Sequence, residues 1–541
     1  MLNNKDFEGT QIKYANLICG IAFALAVIIA VWLRFAQISV KPFHHDEGVN
    51  SYFLLNLFRQ KGEYRYDPTN YHGPTLYYFT LLALRVFGVN DFALRFMPAL
   101  FGTLSVLMVW LLRKHLGAVG TPVAAFLMAL SPGLVYFSRD FIHEMSFGCF
   151  SLGIVVGAWR YAESKKFVWL ALAATSAGLL FATKETAVIT AVVMIAAAVC
   201  ATAWDITRKL FRQRELTPGR LDLSPDHILA AVIIFVFINV IFYTSFFVPQ
   251  TYPDGNKYIY WKGVTDAVKS VALWTRRSGS EHVKDRWYYL SILLKLELPL
   301  LIGSLLAGIF VVWRGTRFWL FVAAWTVGMA LAYSIIGYKT PWLMVSFLIP
   351  MALLSGYAAQ QVYSALPLTK LRVIWVMALV TLLVFNGSLA LSVNFDKYDD
   401  NANSSGYFVD AGRKLKLKPY LDGLIGYVYA QTDRGAFQLV EAIKNESDKL
   451  PLRDDTPIYV GTPDYWPLPW YLRDYKNVAY SGSLPDSASG TPSISQPIII
   501  ASVSQQSELG RMAGWRALPE PFTLRPGVEL VIYVRDETQR Q

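Results

Sequence analysis

Charge is what this sequence has least of. Only 16% of its 541 residues are Asp, Glu, Lys or Arg, where soluble domains carry about 25%, so the chain cannot clothe itself in polar surface. Cysteine is nearly absent. Cys19, Cys149 and Cys200 all lie in apolar runs, which excludes a disulfide framework and a zinc knuckle. The net charge of +11 is not gathered into one soluble basic patch, which argues against nucleic acid as a partner. There is no tandem repeat and no long low-complexity segment, although Ser481–Ser495 is rich in Ser, Pro and Gly.

What is present is apolar and segmented. Hydrophobic residues make up 54% and aromatic residues 15%, arranged as runs of about 20 residues, the length that crosses some 30 Å of hydrocarbon. The runs predict eleven spans, at 15–37, 92–112, 119–137, 143–161, 167–183, 186–204, 228–247, 287–313, 318–337, 341–363 and 371–394. The first, Leu17 to Phe35, lacks a small-residue cleavage site and reads as a retained signal anchor. Basic residues cluster in the loops at Arg113 and Lys114, Lys165 and Lys166, Arg208 to Arg214, Arg314 and Arg317, and Lys370 and Arg372. A cytoplasmic N-terminus places all five clusters on the cytoplasmic side, as the positive-inside rule requires. The basic 248–285 loop lies outside in this scheme, which weakens the count without reversing it.

The expectation is a multi-pass protein of the inner or plasma membrane with three outward regions: 38–91, 248–285 and all that follows Val393. In the first, Gly48 to Gln60 and Pro74 to Phe87 are amphipathic enough to lie in the interface. In the last, apolar runs shorten to strand length at Ile425–Tyr429, Ile458–Val460, Ile498–Ala501 and Leu530–Val534, with helix-like Ala436–Ile443 among them. This alternation predicts a small α/β domain. The expected division is a transmembrane catalytic domain over 1–394 and an extracytoplasmic α/β domain over 395–541.

Three motifs do not suit a merely structural membrane protein. Phe43-His44-His45-Asp46-Glu47-Gly48 sets four titratable residues in a row after the first span. A carboxylate there could take a proton from an acceptor hydroxyl, worth about 10²–10⁴-fold in rate. Equally, Asp46 and Glu47 suit the start of a helix, with the rest as solvated interface charge. Tyr136-Phe137-Ser138-Arg139-Asp140-Phe141-Ile142-His143-Glu144 puts ionisable groups at membrane depth, where they mark function. At helical spacing Asp140 and Glu144 share a face, and Arg139 and His143 a neighbouring one. The alternative is an Arg139 pair with Asp140 or Glu144 that stabilises the turn. In Gly337-Tyr338-Lys339-Thr340-Pro341-Trp342, the lysine is either a snorkelling anchor or a point charge for a phosphate.

Lesser candidates have plainer readings. Tyr66-Asp67-Pro68 and Tyr71-His72-Gly73-Pro74 carry turn residues, and a histidine such as His72 is more often part of a turn than a ligand. Lys184-Glu185 reads as a solvated or paired loop, and Lys295 and Glu297 as a mutual or interfacial pair. The aromatic cluster Tyr465-Trp466-Pro467-Leu468-Pro469-Trp470-Tyr471 fits sugar stacking, membrane contact or core packing. The three main motifs fall on one side of the predicted topology, where accidents would scatter over both.

Together these motifs resemble the GT-C glycosyltransferases. More narrowly they resemble the protein O-mannosyltransferase superfamily, which includes the aminoarabinose transferase acting on lipid A. Within it the chain looks like the bacterial and archaeal flippase-activity-associated, dolichyl-phosphate-mannose-protein mannosyltransferase-like branch. The residues that carry the resemblance are His44-His45-Asp46-Glu47, Tyr66-Asp67, Tyr71-His72-Gly73-Pro74, Tyr136-Phe137-Ser138-Arg139 with Glu144, Gly337 to Trp342, and Tyr427-Val428-Tyr429-Ala430-Gln431-Thr432. The resemblance implies an inverting transfer of sugar from a polyprenyl-phosphate donor to a protein, lipid or glycan acceptor, facing away from the cytoplasm. By position it makes Asp46 the candidate base with Glu47 beside it, Glu144 the second acidic residue, and Lys339 and Arg139, with Tyr338 and His72, candidates for the donor phosphate. The extra Asp140 departs from the pattern and blurs which carboxylate holds the second acidic place. Some relatives use a divalent metal and others do not, so a metal held by Asp46 and Glu144, with His44 and His45 near, is left open. A transporter or flippase-associated component handling lipid-linked sugars is the alternative, although no inverted repeat or paired broken helices near the midplane supports it. A scaffold with a partner-binding outer domain is the third.

Overall fold

The computed structural model describes residues 4–59, 66, 72–211, 224–247, 261–277, 282–395, 427, 432–485 and 493–536. The chain forms two compact units: Met1–Ile38 with Gln60–Tyr427, and Ser39–Arg59 with Val428–Gln541.

The first unit is helical because hydrocarbon offers no partner for backbone N–H and C=O, and a helix satisfies both within itself. It comprises α1 (Asn4–Phe35), then α3 to α16: Thr75–Phe87, Asp91–Met108, Arg113–Leu130, Pro132–Ser138, Glu144–Ser164, Phe167–Phe181, Ala187–Phe211, Pro225–Tyr243, Trp261–Arg277, Tyr288–Leu296, Leu298–Arg314, Arg317–Ile335, Val345–Ala365 and Thr369–Asn394. The label α2 belongs to His45–Arg59 of the second unit. Every one of the eleven predicted spans is predominantly helical.

Among the described residues seven helical stretches are long and apolar enough to cross a membrane, eight if α12 and α13, bent by 107°, are one span. One of the seven is Asp91–Leu130, 40 residues long. At 1.5 Å per residue it would reach about 60 Å, twice the ~30 Å of hydrocarbon. Gly117 divides it: φ of 76° with ψ of −179° is outside any helix and is open only to glycine. The other two predicted spans are α7 and α8. α8 has only 15 residues. α7 buries most of its length, Ser146, Gly148, Ser151 and Gly153 included, so these small and polar residues meet protein rather than lipid, as they do between membrane helices. Low hydropathy there follows from burial.

Charged side chains pin the helix ends. Arg34 is fully buried and donates to the carbonyls of Ala129 and Met128 at the end of α5, at 3.2 and 3.0 Å, and to Ser138 Oγ at 3.1 Å. Glu297, at the break between α12 and α13, accepts through Oε1 from Ser131 Oγ, Gly133 N and the Tyr427 hydroxyl at 2.7, 2.8 and 2.9 Å. The expected pairing of Lys295 with Glu297 is thus replaced by bonds to residues far away in sequence, because a buried carboxylate needs directed donors.

The second unit is an α/β domain. Its sheet runs β2 (Val478–Tyr480), β1 (Ile458–Val460), β3 (Ile498–Ser502), β6 (Val528–Arg535) and β4 (Trp515–Ala517), with β5 (Phe522–Arg525) on the other end of β6. β1 is parallel to β2 and β3, and β6 is antiparallel to β3, β4 and β5. Alternation assigns Ile498 and Ile500 to one face, with Leu439 and Ile443 of α17 (Gly435–Ser447), and Ile499 and Ala501 to the other, with Leu509 and Met512. Three of the four predicted strands and the predicted helix are present. The fourth, Ile425–Tyr429, lies outside the described residues except for Tyr427. The compact unit differs from the expected 395–541: it starts at Val428 and takes in Ser39–Arg59, because α2 packs on α18 (Leu468–Tyr471).

Gly117→Ala tests the break. A Cβ there would lie 2.6 Å from the Gln360 side chain in a conformation that L-residues avoid, whereas one at Gly308 meets nothing within 4 Å. Gly117→Ala should lower the thermal midpoint in detergent by several degrees and Gly308→Ala should not; equal midpoints would remove Gly117 as the dividing residue.

Candidate active site

In the second unit the acidic motif opens α2. His44 precedes the helix, and its Nδ1 accepts from the Asp46 N–H at 3.3 Å. In return Glu47 Oε2 accepts from the His44 N–H at 2.9 Å. This is the reciprocity of a capping box, with histidine in the place usually taken by Ser or Thr. Glu47 is wholly buried and Asp46 keeps part of its surface. Two adjacent carboxylates that look equivalent in sequence therefore differ in setting: Glu47 closes its own helix and is buried, and Asp46 is part-exposed. The capping reading of the motif holds for Glu47.

Burial pushes the His44 imidazole down to about 3; the Glu47 carboxylate opposes this, and His45, Lys41 and Arg525 add to it. A neutral ring is what the cap needs, since a protonated Nδ1 cannot accept.

In the first unit the polar groups cluster around the head of α7. Glu144 Oε1 meets Lys184 Nζ at 2.5 Å, and both side chains are buried. Next in sequence, Glu185 Oε2 lies 3.1 Å from His72 Nδ1, and the His72 ring packs edge-on against His143 at 4.8 Å. Backbone bonds bring these loops together, with Gly73 N donating to Thr183 O at 3.0 Å and Thr75 N to Ala182 O at 3.2 Å. Glycine is required for that approach, because a Cβ at Gly73 would fall 2.2 Å from the Ala182 carbonyl oxygen. Lys184-Glu185 is thus paired but not solvated. It is the feature that sequence reasoning undervalued, since nothing local relates positions 144 to 184 or 72 to 185.

Arg139 donates to the carbonyls of Leu33, Ala36 and Gln37 at 2.9, 2.7 and 2.8 Å, with its guanidinium 4.4 Å above the Phe395 ring. These are orphan carbonyls at the end of α1, which a cation satisfies well. Arg139 therefore caps a helix.

Lys339 is held differently. Its backbone N donates to His282 O at 3.0 Å, and Val283 bridges to Tyr338. The Tyr338 ring stands edge-on to Trp274 and His282, at 6.4 and 5.5 Å. Tyr289 OH donates to Thr340 O at 3.0 Å. The Lys339 ammonium donates to Ile336 O at 2.5 Å, and among the described residues no carboxylate lies within ion-pair range of it. The side chain is buried. Burial lowers its proton affinity, and Asp285 counters this from a distance.

Among the described residues no three His, Cys, Asp or Glu side chains come together as a metal would require, and His44 is engaged in its cap.

Comparison with solved structures places the architecture. ArnT from Cupriavidus metallidurans bound to undecaprenyl phosphate aligns over 94% of this chain and 97% of its own, with 14% identity and a TM-score of 0.62. The chain has the GT-C fold. The apo form of ArnT aligns over the same shares at a TM-score of 0.57. AglB, the oligosaccharyltransferase of Archaeoglobus fulgidus, in complex with an inhibitory peptide and a dolichol-phosphate, aligns over 90% of this chain and 70% of its own, with 12% identity and a TM-score of 0.53. Residues 71–217 match the family described as dolichyl-phosphate-mannose-protein mannosyltransferase. That segment holds His72, Arg139, Glu144, Lys184 and Glu185 of the GT-C domain, and neither Asp46 nor Lys339. No curated protein matches the sequence.

Two outcomes follow from this geometry. Lys184→Met or Glu144→Leu alone should destabilise the detergent-solubilised protein by about 3–5 kcal/mol, since each leaves a buried charge unpaired. The double variant should lose less than the sum; additive losses would mean that the two do not interact. For His44, the folded value of about 3 against an ordinary 6.5 means that between those limits the unfolded chain alone binds the proton. The stability it contributes is full above pH 6.5 and declines as the pH falls towards 3. His44→Asn, which accepts without titrating, should show a shallower fall in thermal midpoint between pH 6.5 and 4; equal slopes would remove His44 as the cause.

Proposed function

We propose that this multi-pass membrane protein is an inverting glycosyltransferase that moves a sugar from a polyprenyl phosphate to a hydroxyl acceptor at the extracytoplasmic face of the cell membrane. The observation that carries the reading is Asp46: a partly open carboxylate at the head of α2 whose neighbours His44 and Glu47 are bound up in the cap. The GT-C fold gives it context, as do the undecaprenyl phosphate of ArnT and the dolichol-phosphate of AglB.

The chemistry assigns the residues. Asp46 takes the proton of the acceptor hydroxyl as its oxygen bonds to the anomeric carbon. The bond from that carbon to the phosphate oxygen breaks, and its electron pair leaves with the phosphate. Attack opposite the leaving group inverts the carbon. A phosphate needs no proton to leave when a preorganised cation receives its charge. Lys339 is that cation, because it is buried and, among the described residues, has no carboxylate within ion-pair range. Glu144 acts through Lys184, which it holds in place, and His72 through Glu185. Arg139, whose guanidinium already donates to three carbonyls, is the weaker of the two phosphate candidates. The five basic loop clusters support a cytoplasmic N-terminus.

The test uses the full chain in nanodiscs with undecaprenyl-phosphate-linked mannose, glucose, galactose and aminoarabinose, host membranes as acceptor, and release of undecaprenyl phosphate as readout. Wild type should turn over at least one donor, and Asp46→Asn should lose about 100-fold or more in kcat. Lys339→Met should chiefly raise the donor KM. Wild-type turnover retained in Asp46→Asn would reject the assignment of the base, and no turnover of any donor by wild type would reject the function.

A further inference from the structure

The second unit contains more than a sheet beside an acidic helix. Phe43 is fully buried and stacks on Trp470 with ring centroids 5.3 Å apart and planes at 6°. Its backbone N–H donates to the Tyr471 hydroxyl at 2.7 Å, and the two rings meet at 5.9 Å. Behind Asp46, a Cβ at Gly48 would lie 2.6 Å from Pro467 Cβ and 2.8 Å from Pro467 Cα, so α2 rests against the Pro467 backbone with no room for a side chain. The His45 and Tyr52 rings each lie 6.0 Å from Trp466. At the far end of the helix Arg59 Nη2 donates to Arg473 O at 2.5 Å. Residues 43, 45, 48, 52 and 59 thus all dock on one short stretch, 466–473.

That stretch is rigidly seated. Trp470 and Leu468 are fully buried, Leu468 and Leu472 belong to the core shared by β1 and β3, and Phe437 of α17 packs edge-on against Tyr471 at 5.5 Å. The only covalent links from 39–59 to the first unit are its two ends, so its place in the second unit is set by these contacts.

We infer that Trp466–Tyr471 of the C-terminal domain is the positioning element for Asp46, so that the domain is part of the catalytic apparatus rather than an appendage. The inference rests on Asp46 being the base. Its residues touch α2, not the reacting atoms. Phe43 and Gly48 flank Asp46 by three and two positions and are clamped by Tyr471 and Pro467, so a shift at either contact is passed directly to the carboxylate. A small misplacement is costly, since about 1 Å can remove 10²-fold of rate. This role favours core packing over sugar stacking as the reading of the aromatic cluster, and gives that packing a purpose.

The experiment uses the full chain in nanodiscs and the donor found active above. Tyr471→Phe deletes one acceptor and keeps the ring; Gly48→Ala pushes α2 off Pro467. Tyr471→Phe should lower kcat several-fold and Gly48→Ala about 10- to 100-fold, with donor KM unchanged. Amide hydrogen exchange should quicken over residues 43–50 and stay as in wild type across β1, β3 and β6. In an Asp46→Asn background neither change should cost further rate, because the group being positioned is gone. Wild-type kcat in both variants despite faster exchange at 43–50 would overturn the inference and leave the base intact. A full further loss in the Asp46→Asn background would overturn it too. Undiminished turnover in Asp46→Asn alone would instead strike the reading beneath it. Should Gly48→Ala fail to fold, Tyr471→Phe decides alone.

Discussion

A lysine and a glutamate 40 positions apart meet at 2.5 Å out of reach of water, and the arrangement of the helical unit around α7 turns on that pairing. Neither charge could be buried alone, because desolvation without a partner costs several kcal/mol per ion. The pair therefore dictates where the loop between α8 and α9 must lie. Once that loop is there, Thr183 and Ala182 receive the backbone of residues 73–75, and Glu185 meets His72. Helices in lipid gain nothing from the hydrophobic effect by touching one another, so directed polar contacts and close packing specify their order. Arg34, Arg139 and Glu297 act in the same way at other helix ends, each satisfying backbone or hydroxyl groups that would otherwise be orphaned.

The second unit shows the opposite economy. Its sheet carries an ordinary two-faced apolar core, and the acidic motif sits at the head of α2. There one carboxylate is withdrawn into a cap and its neighbour is left partly open. Sugar transfer from a phosphate makes the same demand: one base for the acceptor proton, and a cation in place of an acid for the leaving group.

Much of the fold was legible in advance, and for physical reasons. Spans announce themselves because a backbone in hydrocarbon must be helical and its side chains apolar. Strands β1, β3 and β6 showed as short branched runs because both sheet faces are covered. Where composition and environment part, the reading weakens: α7 is polar for a span because it is packed among neighbours. The acidic motif was visible, but the burial of Glu47 in the cap of α2 was not, since capping depends on which carboxylate curls back to the helix start. Arg139 stood out as a cation, yet its partners are carbonyls about a hundred residues away, and carbonyls leave no trace in side-chain chemistry.

The sequence by itself determined that the chain is a helical membrane protein ending in a small α/β domain, and that ionisable groups crowd the ends of certain spans. Both follow from local rules of period, length and solvation. Only the tertiary structure decided that Glu144 belongs with Lys184, that Glu297 belongs with Ser131, Gly133 and Tyr427, and that residues 39–59 belong with the C-terminal domain. Those pairings are made by long-range closure of the chain under the demand that each buried charge find a partner, and that demand does not say in advance which partner it will be.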